Sequence, residues 1–304
     1  MAGVRRVAAE RGEFGHVRVA APTAGLRGAV LPPRRVAWGD GALEGIRWGA
    51  LSEPGGPVLL HGGAVNAHAW DAAMVRLGGP AWAVDLPGHG RSAWTPDGDF
   101  SPARLADALE PHVLPERRTL LAGHSLGGLV ALELAARRPG RVSGVLLLDV
   151  TPDPSPVAAG GIREFVGRGA SFASRREIVA RARAYGLGSD GTTLDVGVRL
   201  NTRRRSDGRF EFRHQLAHLA DDAPGIGWHV EETWSLLEGL DVPVALVRGE
   251  TGLVSAASER RFAASGRLRR STTVDGGHNV PSRHPGVVAR ELARMLRATP
   301  ATAA

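Results

Sequence analysis

Gly123-His124-Ser125-Leu126-Gly127-Gly128 lies between an apolar run at 119–122 and an apolar, helix-forming run at 129–136. The order is strand, tight turn, helix, and the turn reads G-x-S-x-G, the pattern of a nucleophile elbow. A serine at such a turn sits in strained backbone, and the residues two places to either side must be small. Gly123 and Gly127 meet that need. The hydroxyl then stands clear of the sheet. The backbone N–H of Leu126, at the start of the helix, lies where a developing negative charge is favoured.

Working outward, the chain alternates strand and helix. Residues 35–49 read as two short strands joined at Gly39-Asp40-Gly41. Pro57–His61 is a short buried strand that ends in His61-Gly62-Gly63, and a helical stretch including Trp70 begins near Asn66. Ala81–Asp85 is the next strand, followed by the turn-rich loop 86–92 and a helix over 101–114. Val142–Asp149 is another buried strand. This alternation argues for βαβ units and a mostly parallel central sheet with helices on both faces, an α/β class. Active groups in such sheets gather at the carboxyl ends of strands, where His61, Asp85, Ser125 and Asp149 all fall.

After Thr151 the pattern changes. Residues 152–236 are more charged and mainly helical, with a small hairpin near Ser206-Asp207-Gly208, and read as an inserted cap. Val242–Gly249 and Arg270–Asp275 resume the sheet, and a helix over 285–296 closes it. The expected division is an irregular extension over 1–33, a core of 34–151 and 237–304, and the cap at 152–236.

Composition narrows the function. The chain has 304 residues, 43% of them hydrophobic, enough for a sizeable core. It has no cysteine, which excludes thiol nucleophiles, disulfides and thiolate zinc sites. The net charge is +7, but the basic residues are all arginine and are scattered, apart from Arg203-Arg204-Arg205. No zinc-finger spacing or RNA-binding signature occurs, so nucleic acid is not the expected partner. No run reaches the roughly 18 apolar residues of a membrane span. A cytoplasmic protein is the expectation, and its oligomeric state is not legible.

Four motifs in fixed order carry a resemblance: His61-Gly62-Gly63, Asp85-Leu-Pro-Gly-His-Gly-Arg-Ser92, the elbow at 123–127, and Gly277-His278-Asn279. Together they resemble the α/β-hydrolase superfamily over residues 35–298. Ser125 at the elbow, where epoxide hydrolases and haloalkane dehalogenases of this fold carry Asp, points to acyl transfer. His278 is the expected base, since its neutral imidazole can accept the serine proton and return it. The resemblance implies an acid after the penultimate strand, where Glu250 stands; Asp149, where some relatives place it, is the alternative. The expected oxyanion hole is the backbone N–H groups of Gly63 and Leu126. His61 is expected to be structural, His124 to point away, and Asp85 and Arg91 to tie the loop after their strand. Arg203-Arg204-Arg205 is either a solvated surface or a handle for an anionic substrate. The implied function is a carboxylesterase-like serine hydrolase acting on a small ester, with no cofactor and no metal. A C–C bond hydrolase, lactonase, thioesterase or perhydrolase, or a non-catalytic small-molecule binder, stays open.

Overall fold

The computed structural model describes residues 3–17, 32–52, 55–154, 171–184 and 191–298. Its frame is a nine-stranded sheet in the order β1-β2-β3-β5-β4-β6-β7-β11-β12. The strands are β1 (Arg5–Arg6), β2 (Pro33–Trp38), β3 (Leu43–Trp48), β4 (Val58–Leu60), β5 (Ala81–Val84), β6 (Thr119–His124), β7 (Val142–Leu148), β11 (Val244–Gly249) and β12 (Leu268–Val274). From β5 to β12 every neighbouring pair is parallel, whereas β1, β2, β3 and β5 pair antiparallel.

Strands β4 to β7 are buried along their whole length, as continuous apolar runs covered on both faces must be. Alternate side chains therefore feed two cores. Leu121, Val145, Leu147 and Leu246 pack under the helices Pro102–Val113, Leu126–Arg137 and Val230–Gly239. Leu120, Leu146, Leu148 and Val247 pack under Asp71–Leu77 and Pro285–Ala298 on the opposite face. The Pro285–Ala298 helix earns its place by period: Val288, Ala289, Leu292 and Met295 recur at three- and four-residue steps and are buried. The Pro102–Val113 helix starts where Ser101 accepts from the Arg104 N–H and Pro102 fills a first-turn position needing no donor. Edge strand β12 is mostly exposed and carries Arg269 and Arg270, which discourages pairing with another chain.

Two boundaries differ from expectation. The N-terminal extension is not wholly irregular, because Arg5 and Arg6 pair with Ala37 and Val36 at the sheet edge. Ion pairs and a few scattered apolar contacts, Phe14 and Val17 on one core and Val4 on the other, hold this segment, so it carries no hydrophobic period. Between β7 and β11 the chain leaves the main sheet and builds a three-stranded sheet, β8 (Ser171–Phe172), β10 (Phe210–Phe212) and β9 (Thr202–Arg204), with helices Arg175–Ala184 and Gly191–Asn201. The hairpin expected near Ser206 is the β9–β10 pair. The Val230–Gly239 helix packs instead on the elbow helix, with Trp234 and Leu237 fully buried in the main core. A boundary at 236 therefore cuts through a helix of the main body. Among the described residues no helix is long and apolar enough to cross a membrane.

Candidate active site

Ser125 follows β6 and caps the helix Leu126–Arg137 with φ 53° and ψ −123°. This is left-handed backbone that a serine adopts only under constraint. The constraint is local. The Ser125 N–H donates to the Leu148 carbonyl at 3.1 Å, and the Ser125 carbonyl accepts from Gly128 N–H at 2.8 Å. A Cβ on Gly123 would overlap the Gly127 carbonyl, and one on Gly127 would overlap the Leu60 carbonyl. Only glycine at both positions lets the strand, the turn and β4 approach so closely.

The His61-Gly62-Gly63 loop lies against this turn. A Cβ on Gly62 would stand 3.2 Å from the Ser125 Cβ and 2.8 Å from His124 Nδ1. His61, as expected, is structural: its Nδ1 donates to the Gly62 carbonyl at 2.7 Å and its Nε2 accepts from the Leu86 N–H at 2.9 Å. Burial pushes its pKa down and keeps it neutral, which that donor–acceptor pairing requires. Leu126 is the first residue of the helix, so its N–H has no partner inside the helix. Above Gly63, Ile226 Cδ1 and Leu216 Cδ1 come within 3.4 and 3.6 Å of where a Cβ would stand.

The carboxylate beside His278 is that of Asp149, not of Glu250. His278 Nδ1 donates to Asp149 Oδ2 at 2.8 Å. Glu250 is exposed, and its backbone N–H bonds to the Val274 carbonyl. The reason lies in the strand pairing. Val247 pairs with Leu148, so the end of β7 lies beside the end of β11. Asp149, fully buried, then accepts from the Gly249 N–H at 2.9 Å through Oδ1 and from the Leu253 N–H at 2.8 Å through Oδ2. Gly252 makes room, because a Cβ there would overlap the Asp149 carboxylate. The turn after β11, where the resemblance implied an acid, here receives a carboxylate from the end of β7. Burial pushes the Asp149 pKa up, but the His278 hydrogen bond and charge and the two backbone donors outweigh it and hold the carboxyl below its ordinary range. Asp149 itself has φ 48°, which Asp tolerates better than most residues.

His124 does not point away. Its ring packs 4.6 Å from that of His278, and its Nε2 donates to the His278 carbonyl at 2.9 Å. Burial, then the nearby His278, push its pKa down to about 3, so it serves as a neutral buttress. Its place directly before the serine was the one signal that could have marked it. Asp85 and Arg91 do tie their loop, though not to each other's side chains. Asp85 accepts from Arg35 Nη1 at 2.7 Å, the Ala67 N–H at 2.7 Å and the Arg91 N–H at 3.1 Å, while the Arg91 guanidinium pairs with Glu44 at 2.9 Å. Arg203 and Arg205 are held within the hairpin by Glu211, at 2.7 and 3.2 Å, and Arg204 donates to the Gly208 carbonyl at 3.2 Å. That favours the solvated surface over the anionic handle.

The sequence and the fold have counterparts in known proteins. Residues 58–291 match the model of the Alpha/beta hydrolase family. The chain is 35% identical over 296 residues to esterase Rv0045c of Mycobacterium tuberculosis, covering 90% of this chain and 92% of that one. The crystal structure of that esterase superposes with a TM-score of 0.79 at 32% identity, covering 96% of this chain and 100% of that one. A pimeloyl-[acyl-carrier protein] methyl ester esterase of Neisseria meningitidis is 39% identical over 118 residues, 36% of each chain. With its fold, the match to the family model and this likeness over nearly its whole length, the chain belongs to the alpha/beta hydrolase family.

Proposed function

We propose that this protein is a serine esterase in which Ser125, His278 and Asp149 act as nucleophile, base and acid. The observation that carries the reading is the 2.8 Å pairing of His278 Nδ1 with the buried Asp149 carboxylate, beside a serine at φ 53° on a strand-to-helix turn. The likeness to an esterase over 90% of the chain supports it. Asp149 engages Nδ1, which leaves the His278 Nε2 lone pair for the serine proton. Ser125 Oγ attacks the ester carbonyl as Nε2 takes that proton. The carbonyl oxygen becomes an oxyanion and accepts hydrogen bonds from the Gly63 and Leu126 N–H groups. The imidazolium, stabilised by Asp149, returns the proton to the departing alkoxide, leaving an acyl-enzyme. Water, deprotonated by His278, then attacks the acyl carbon; the acid leaves and Ser125 regains its proton.

The chain between β7 and the Val230–Gly239 helix includes Leu216 and Ile226 above Gly63 and acts as the cap that shapes the acyl side of the pocket. An imidazole with no carboxylate in reach would favour a ligand-binding member without chemistry, and Asp149 lies in reach of His278. The test is stopped-flow turnover of p-nitrophenyl esters. The native protein is expected to release a burst of nitrophenol near one equivalent, then a steady rate, and Ser125→Ala to do neither. Equal turnover by Ser125→Ala would refute the assignment.

A further inference from the structure

Away from the serine, three ligand-type side chains converge where the N-terminal segment meets the body. His16 Nε2 and His68 Nδ1 each lie 2.7 Å from one oxygen, Asp71 Oδ2. The three ligand atoms lie within 4.8 Å of one another. His68 and Asp71 stand three residues apart where a 3-10 turn runs into the Asp71–Leu77 helix, so they share a face, while His16 arrives from 55 residues upstream. Asp71 is buried, and its second oxygen, Oδ1, has no hydrogen-bond partner among the described residues. A buried carboxylate oxygen without a donor is costly unless something positive meets it.

The surroundings add a charge argument. Glu13 and Asp85 are buried carboxylates on one buried guanidinium, Arg35, and the buried Asp71 carboxylate joins them through His68 rather than through Arg35. Arg91 pairs with Glu44 at 2.9 Å and reaches Glu13 only at 3.9 Å. Two negative charges remain for His16 and His68 to meet. Two imidazolium rings can do so, and so can one divalent cation held between neutral rings. The His68 ring can take the second role by exchanging the proton on Nδ1, 2.7 Å from Asp71 Oδ2, for the metal. Its Nε2 lies 3.0 Å from Glu13 Oε1, the carboxylate–histidine pairing that orients metal-bound imidazoles and leaves the other nitrogen for the metal. Arg35 lies 3.2 Å from that same Nε2, on the side of the ring away from Asp71, and is itself neutralised by Glu13 and Asp85.

We propose that His16, His68 and Asp71 bind a divalent transition-metal ion that fastens the N-terminal segment to the body. Two imidazoles and a carboxylate suit zinc, cobalt, nickel or copper rather than magnesium or calcium. Ligand atoms around zinc stand about 3.3 Å apart, so both contacts to Asp71 must open by roughly half an ångström: movement of His16 opens one, and a shift of the Asp71 carboxylate away from His68 opens the other.

The test uses tag-free, full-length protein stripped with a chelator. Zinc binding is followed by calorimetry, cobalt binding by visible absorption, and melting is measured with and without zinc. The native protein is expected to bind one equivalent and melt higher with zinc. His16→Ala, in a partly exposed segment, should weaken binding at least tenfold and abolish the zinc-dependent rise in melting temperature; Asp71→Asn should do the same. His278→Ala should bind as the native chain does, which separates this site from the serine centre. Unchanged affinity in His16→Ala would overturn the proposal. So would binding lost in His278→Ala, or no binding by the native chain at about 100 μM zinc.

Discussion

Replacing Asp149 by Asn removes one charge and leaves the shape, and the structure says which way the amide will lie. Oδ2 accepts from two donors, Leu253 N–H and His278 Nδ1, whereas Oδ1 accepts from Gly249 N–H alone. The amide NH2 therefore takes the Oδ1 place, where it opposes one N–H rather than two. His278 keeps an acceptor and its tautomer, so the loss is mainly that of the charge facing the imidazolium. Opposite charges about 4 Å apart at an effective dielectric near 20 attract by about 4 kcal/mol, and losing that slows the reaction about 10³-fold. The stranded Gly249 N–H costs about 1–3 kcal/mol of stability. Glu250→Gln alters an exposed side chain and should leave kcat within about threefold, since surface changes away from a site do little. The assay is steady-state hydrolysis of p-nitrophenyl butyrate by native, Asp149→Asn and Glu250→Gln proteins, each checked by thermal melting. A fall of less than tenfold in Asp149→Asn, or an equal fall in Glu250→Gln, would refute the reasoning.

Three further outcomes follow from the same geometry. Ser125→Gly should abolish turnover yet raise stability by about 1 kcal/mol in denaturant titration, because glycine accepts φ 53° without strain. Gly252→Ala should displace the Asp149 carboxylate, with kcat down at least tenfold and stability down by about 2 kcal/mol, measured on one preparation. For Glu13, burial pushes the pKa up, but the His68 hydrogen bond and Arg35 outweigh it and bring the carboxyl down from 4.5 to about 2. Its stabilisation is therefore complete above pH 4.5 and lost as pH falls towards 2. Glu13→Gln should cost about 3 kcal/mol at pH 7 and progressively less below pH 4.5, read from urea melts across pH.

Much of this was legible in the sequence because it rests on local rules. The elbow needs glycine two places from the serine on either side, and buried parallel strands need unbroken apolar runs; both are written in consecutive residues. Asp149 was harder. Its role depends on the β7–β11 pairing, which brings together residues about 100 apart, and on the space at Gly252. Two signs were present: a carboxylate directly after an apolar strand, and a glycine in the turn where the acid was sought. The N-terminal segment shows no hydropathy period because the charged contacts of Glu13, His16 and Arg35 hold it alongside only scattered apolar ones, Val4, Phe14 and Val17. The direction of His124 is not legible locally, because it is set by β6 and by the carbonyl of a residue 154 positions away.

Whether Ser125 is an activated nucleophile is read by intact-mass analysis after fluorophosphonate treatment. A single adduct is expected on the native chain, none on Ser125→Ala, and slowed labelling of Asp149→Asn. An unlabelled native chain, or an equal adduct on Ser125→Ala, would contradict it.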